Sequence, residues 1–349
     1  MPYDRPWRSH SPGQMVGTNG HPPGQSFGWG GSVVNDPGFC CVCDRPIEGE
    51  ARAFGRRVFC VPHHERAARE GPAAAMPILI EIGAVVLFAA AVSILASATR
   101  VSFGETGQVL VGLVLAVVPA AIWLVAFYRL DRLEPEPKHY VLGVAVLGGI
   151  LAAAIGQPLI RGFFQVQDWI YDSAAVGLLG SIFIVGFVEE FLKYAGVRYT
   201  VFHSPEFDEP ADGIVYGAAI GLGYATVLNV GYIVDHNGVD LGVGAIQVAV
   251  MALAHASFSG VVGYFLGRAK FERMGPVWLP LGLTVAAVLN GIVTHVLRVV
   301  PTLGGFGYHP WYGLIIAAVV AAATFFVLFR LIRRLNAAVL AAPGTSQAS

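Results

Sequence analysis

Charge is what this sequence has least of. Only 13% of its 349 residues are Asp, Glu, Lys or Arg, against 55% hydrophobic, and mean hydropathy is +0.62. A soluble fold needs more polar surface than that to cover itself, so the bilayer is part of this chain's solvent. The charges present nearly cancel, to a formal −1, which argues against a strongly basic nucleic-acid binder. Cysteine is scarce too. All four, Cys40, Cys41, Cys43 and Cys60, fall in one short N-terminal segment, a placement that suits a metal site rather than a disulfide framework.

Long apolar runs are missing from the first 76 residues. Residues 1–37 are rich in Gly, Pro, Ser and His, with Pro22-Pro23-Gly24 and Gly28-Trp29-Gly30-Gly31 among them. Such a composition cannot bury a core, and a disordered tail is expected there and again over 336–349. The charged start is not followed by a continuous apolar stretch with a cleavage site, so the first membrane helix is expected to act as the insertion signal.

From residue 77 onward, apolar runs of about 20 residues recur, each long enough to cross the hydrocarbon as a helix. The reading is an all-α polytopic membrane protein of about eight spans, at 78–98, 108–128, 140–160, 177–200, 212–234, 245–267, 278–299 and 311–332. Positive charge marks alternate loops: Arg129, Arg132 and Lys138 after span two, Lys193 and Arg198 at the end of span four, Arg268, Lys270 and Arg273 after span six, Arg330, Arg333 and Arg334 ending span eight. Those ends are expected to be cytoplasmic, with both termini inside.

Cys40-x2-Cys43, sixteen residues, then Cys60-x2-His63 is a four-ligand array. Each pair fits a knuckle-like turn that aims two ligands at one tetrahedral zinc. A zinc-ribbon-like or half-LIM module over 38–72 is expected, structural rather than catalytic because four protein ligands leave no open position. His64 is a rival for the fourth ligand, and Cys41 is spare. The alternative is a set of chance cysteines in a reducing compartment.

Span four breaks its apolar run with Glu189, Glu190 and Lys193. Ionisable groups at membrane depth are costly unless paired or facing a cavity, and they mark functional paths. One reading pairs Glu189 with Lys193 as a structural ion pair and leaves Glu190 bonded to a neighbouring helix. The other brings His255, near the middle of span six, to the same depth, about 15 Å from the outer ends of both helices. Carboxylate and imidazole together are a zinc donor set, and a second carboxylate is a general base. In span five, Gly213, Gly217 and Gly221 form a small-residue stripe read as packing, while Asn229, with Tyr224 and Tyr232 nearby, is placed to orient a carboxylate or a substrate backbone.

Glu189-Glu190-Phe-Leu-Lys193, His203-Ser-Pro-Glu-Phe-Asp208-Glu-Pro-Ala-Asp212-Gly-Ile-Val-Tyr-Gly217, Gly223-Tyr-Ala-Thr-Val-Leu-Asn229, Asp131-Arg-Leu-Glu-Pro-Glu-Pro137 and His255-Ala-Ser-Phe-Ser-Gly260 occur in the order of a known pattern. Together they resemble the core of the PrsW family, itself distantly akin to CAAX prenyl proteases, over about residues 78–335. The resemblance implies an integral membrane zinc metalloprotease, in a bacterial plasma membrane, that cleaves membrane-anchored proteins such as anti-sigma factors. By position, Glu189 and Glu190 match its paired glutamates, Lys193 the lysine after them, and His255 its membrane histidine. The domain at 73–335 is then the protease; the cysteine module lies outside that family core and is expected to dock the protease to a cytoplasmic partner.

Two positions depart from that pattern. The family usually has Glu-Asn where this chain has Leu228-Asn229, and His before Gly where it has Asn290-Gly291. Leu neither binds metal nor transfers protons. His295 lies five residues past Asn290 and is turned about 140° from it on the helix. These departures raise the alternative of a catalytically silent relative that binds membrane proteins; separately, the ionisable residues at depth raise that of a channel or transporter using Glu189, Glu190 and His255 as a proton relay.

Overall fold

In a computed structural model, residues 39–341 are described, apart from 41–42, 44, 48–50, 55–56, 71–74, 100–104, 131–135, 236–240 and 300–309. The two expected tails therefore lie largely outside the described residues, as do Cys41 and the Asp131–Pro135 part of one motif.

The chain enters the described region through a small β-hairpin, β1 (Arg52–Phe54) and β2 (Arg57–Phe59), paired antiparallel with Arg52 opposite Phe59. A ten-residue helix, α1 (Val61–Glu70), follows directly and carries His63. The rest is helical: α2 (Ala75–Thr99), α3 (Glu105–Leu130), α4 (Lys138–Leu151), the short α5 (Val166–Trp169), α6 (Ala174–Gly180), α7 (Phe187–Tyr199), α8 (Pro210–Asp235), α9 (Leu241–Phe271), α10 (Trp278–Val299) and α11 (Pro310–Ala341).

Among the described residues, seven helical stretches are long and apolar enough to cross a membrane: 110–130, 138–163, 174–199, 210–235, 244–271, 278–298 and 311–338. These are the expected second to eighth spans. The expected first is present as α2, a 25-residue helix whose described apolar stretch is Leu79–Val92. The last helix runs on past residue 335 to Ala341.

Two spans depart from regular α geometry, which hydropathy does not reveal. Residues Ala152–Gly156 and Pro158–Phe163 continue α4 as π-helix, and Ser181–Gly186 joins α6 to α7 the same way. π-turns inside helices cluster at functional sites because the extra residue per turn re-aims the side chains that follow. Here the residues that follow are Glu189 and Glu190.

The central pair is α8 and α9, each burying 72% of its most apolar stretch, against 33–44% for the other spans. Their approach is set by the glycine stripe, as expected. A Cβ on Gly217 would collide with the Ser259 carbonyl, and one on Gly221 with that of His255. Small residues at this spacing let membrane helices pack backbone to backbone. Outer helices turn apolar stripes such as Leu142, Val146 and Ile150, or Ile315, Val319 and Phe326, away from the bundle, and lipid is the solvent that fits them.

The bundle's two ends are fastened by polar contacts. At one, Lys270 donates to the carbonyls of Phe202 and Phe207, and Arg198 reaches His203 at 3.0 Å. At the other, Arg161 pairs with Asp235 at 2.9 Å.

Candidate active site and metal centre

Among the buried polar side chains, one network links three of the spanning helices. α7 supplies Glu189, Glu190 and Lys193, α9 supplies His255 and Ser259, and α10 supplies Asn290, all at most 3% exposed. Lys193 Nζ lies 2.7 Å from Glu190 Oε1 and 2.9 Å from His255 Nδ1. Asn290 Nδ2 donates to Glu189 Oε2 and Glu190 Oε1, both at 2.9 Å. Ser259 donates to Glu190 Oε2 at 3.1 Å, and His255 Nδ1 is 3.9 Å from Glu189 Oε2.

Local sequence explains the convergence. Gly291, next to Asn290, faces Ile182 so closely that a Cβ would overlap that residue's backbone, and Gly186 meets α10 at Ala287 in the same manner. The π-segment and α10 therefore touch through backbone, which brings the short Asn290 amide within reach of both carboxylates. Gly221 does the equivalent for α8 and His255, seating Tyr224 with its ring 6.2 Å from the His255 ring and 4.8 Å from Lys193 Nζ.

The structural ion pair is not the one expected. Lys193 bonds Glu190 rather than Glu189, because Glu189 is turned toward α10 and His255. Asn229 is not brought to the carboxylates: it donates to the Val248 carbonyl at 3.1 Å, tying α8 to α9 elsewhere. His295 packs against Gly177 of α6, consistent with its turn around α10. Asn290 is at the centre of the site, and Tyr224 and Ser259 join it. Ser259 lies one turn from His255, and Tyr224, which the sequence offered only as a neighbour of Asn229, faces the site itself.

Two donor groups bear on metal binding. In the N-terminal module, one ligand atom each from Cys40, Cys43, Cys60 and His63 lies within 4.8 Å of all the others. His63 Nδ1 is 3.1 Å from Cys60 Sγ and 3.5 Å from Cys40 Sγ. His64 instead sets its ring edge against Phe59, so His63 is the fourth donor. Burial pushes the Cys60 thiol above its usual range, and Cys40 and Cys43 push it the same way. Crowded thiols of this kind gain from a cation that takes them as thiolates.

Among the described residues, this is the one group of three or more such donors close enough to share an ion as they stand. In the membrane, the donors have the right chemistry, two carboxylates and an imidazole, but an ammonium group already stands between Glu190 and His255. In this structure the carboxylates and the imidazole are engaged with Lys193, Asn290 and Ser259.

The membrane-spanning helices thus close around a buried group of carboxylates, imidazole, amide and ammonium. The chain belongs to the PrsW family of intramembrane metalloproteases, which residues 136–328 match. Protease PrsW of Bacillus subtilis (strain 168) is 33% identical over 183 residues, 52% of this chain and 80% of the relative. Protease PrsW of Geobacillus kaustophilus (strain HTA426) is 35% identical over 155 residues, 44% of this chain and 65% of the relative. That of Halalkalibacterium halodurans is 29% identical over 183 residues. No solved structure matches the chain. The protein is an integral multi-pass membrane hydrolase of this family, and the comparisons give no support to a silent relative.

Proposed function

We propose that the chain is a zinc-dependent intramembrane endopeptidase that cleaves membrane-anchored proteins, anti-sigma factors among them, from a bacterial plasma membrane with both of its own termini cytoplasmic. The observation that carries this is the buried network of Glu189, Glu190, Lys193, His255 and Asn290 inside the spanning helices. Alternation of basic loop ends supports the orientation.

Roles follow from the contacts. Glu190 and His255, which share the Lys193 ammonium, would contribute to holding a membrane metal. A bound zinc supplies Lewis acidity, polarising the scissile carbonyl and lowering the pKa of a water. Glu189, held by Asn290 through one oxygen only, keeps a carboxylate oxygen outside the network and takes the water's proton as general base. Ser259 and Asn290 fix the Glu190 carboxylate.

The N-terminal Cys40, Cys43, Cys60 and His63 hold a structural zinc, and this module docks the protease to a cytoplasmic partner. The test is cleavage of a single-span substrate in proteoliposomes. Glu189→Gln should lower turnover about 10²- to 10⁴-fold while membrane metal binding persists, and Glu190→Gln should abolish both. Cleavage undiminished by either substitution would overturn the assignment.

A further inference from the structure

α11 is 32 residues long, about 48 Å of helix, against about 30 Å of hydrocarbon. One end therefore stands clear of the membrane, and Arg330, Arg333 and Arg334 place the surplus at its C-terminal end. Ile332 and Asn336, one turn apart in that overhang, are 0% and 1% exposed, while Arg333 and Arg334 between them face outward. Part of this covering comes from α3, whose last residue, Leu130, accepts from the Asn336 amide at 3.4 Å. Arg129, beside it, pairs with Glu81 near the start of α2 at 3.2 Å. The start of α2, the end of α3 and the last turns of α11 thus share one end of the bundle.

The cysteine module is held at the same end. Only four residues separate α1 from α2, a reach of at most about 14 Å. β1 packs against α11, and the contact falls on the last turns because the other end of α11 lies across the membrane. A unit of this size does not bury enough apolar surface to hold itself together without a metal or a partner surface. Here it has both within reach. Cys40 N donates to the Arg45 carbonyl and His64 N to that of Cys60, both at 3.0 Å, which shapes the two ligand-bearing turns. β1 and β2 lie between those turns in sequence, so one ion shared by both pairs closes the loop that contains the hairpin. Resting on the reading of Cys40, Cys43, Cys60 and His63 as a zinc site, and not on the protease chemistry, we propose that the overhang of α11 is the seat of this module. Zinc fixes β1 in the shape that docks there, so metal occupancy and the order of residues 331–341 are linked, each strengthening the other.

Hydrogen exchange of the full-length protein in detergent, read by mass spectrometry, tests the linkage. The first zinc equivalent is the one that depends on Cys43, and the second, in the membrane, the one that depends on His255. Stripping zinc with a chelator should speed exchange over 331–341 by about ten-fold or more while 312–325 stays protected. Cys43→Ser should reproduce that change and His255→Ala should not. Reciprocally, a chain ending at Leu335 should bind the first equivalent about five-fold or more weakly; should that chain fail to fold, exchange in the full-length variants decides alone. Exchange over 331–341 that is unchanged when the first equivalent is lost overturns the seat and leaves the zinc site standing. Absence of any zinc equivalent that depends on Cys43 overturns both.

Discussion

Asn290 donates its amide to Glu189 Oε2 at 2.9 Å across 101 residues of sequence. The same nitrogen serves Glu190 Oε1, so one neutral side chain braces two buried carboxylates against each other. Replacing it by Leu would leave both without that donor in a medium that offers no water. Asn290→Leu should destabilise the bundle by about 1–3 kcal/mol, read from thermal unfolding in detergent. A melting temperature equal to wild type would show that the bonds carry no weight.

Asn290→His supplies a histidine before Gly291, where the resemblance to the family calls for one. The imidazole would stand beside Glu189 and Glu190 and add a nitrogen donor to the membrane site, giving zinc the mixed histidine and carboxylate set it favours. Binding of the second zinc equivalent should tighten relative to wild type. Unchanged affinity would mean that α10 lies too far from the His255 side of the site to share its ion.

The spans, the cysteine module and the paired glutamates were legible in the sequence because hydropathy, ligand spacing and charge at depth are local signals. Which carboxylate meets Lys193 was not, since helix periodicity makes positions i+3 and i+4 equally near and the choice is made by α9 and α10. Asn229 misled for a related reason. A deep polar residue must find a partner, but the backbone carbonyl of Val248 satisfies it as well as a catalytic group would. Nor does hydropathy register the π-segment at Ser181–Gly186, which changes where side chains point without changing how apolar the helix is.

The glycine stripe gives a prediction about packing alone. Gly221 abuts the carbonyl of His255 so closely that any Cβ must force α8 and α9 apart. Gly221→Val should cost about 1–3 kcal/mol or more through overpacking and lower cleavage as well, because His255 is carried on the displaced backbone. Gly231, where an added Cβ meets nothing within 4 Å, is the control, and Gly231→Ala should be nearly neutral. Equal effects of the two would detach the close contact from function.

The cysteine module should separate cleanly from the membrane site. Cys43→Ser removes one thiolate from a group whose donors all lie within 4.8 Å of one another, and structural zinc sites couple metal binding to folding. The variant should lose one zinc per chain and the order of β1, β2 and α1, while the second equivalent and the unfolding of the spans stay as in wild type. Loss of the membrane equivalent in this variant would instead show that the module governs the protease site.

Tyr224 separates what a ring does from what a hydroxyl does. Its ring lies over the Lys193 ammonium, whereas its hydroxyl is buried with no hydrogen-bond partner among the described residues. An unsatisfied buried hydroxyl costs stability, and removing it is neutral or favourable. Tyr224→Phe should therefore leave the melting temperature unchanged or raise it slightly. Tyr224→Leu keeps an apolar side chain but withdraws the π face from a desolvated cation, an interaction of about 2 kcal/mol in such settings, and opens a cavity as well. It should destabilise by about 2–4 kcal/mol. If Phe proved as damaging as Leu, the hydroxyl would have a partner in the membrane-embedded protein, and the cation's seat would rest on Glu190 and His255 alone.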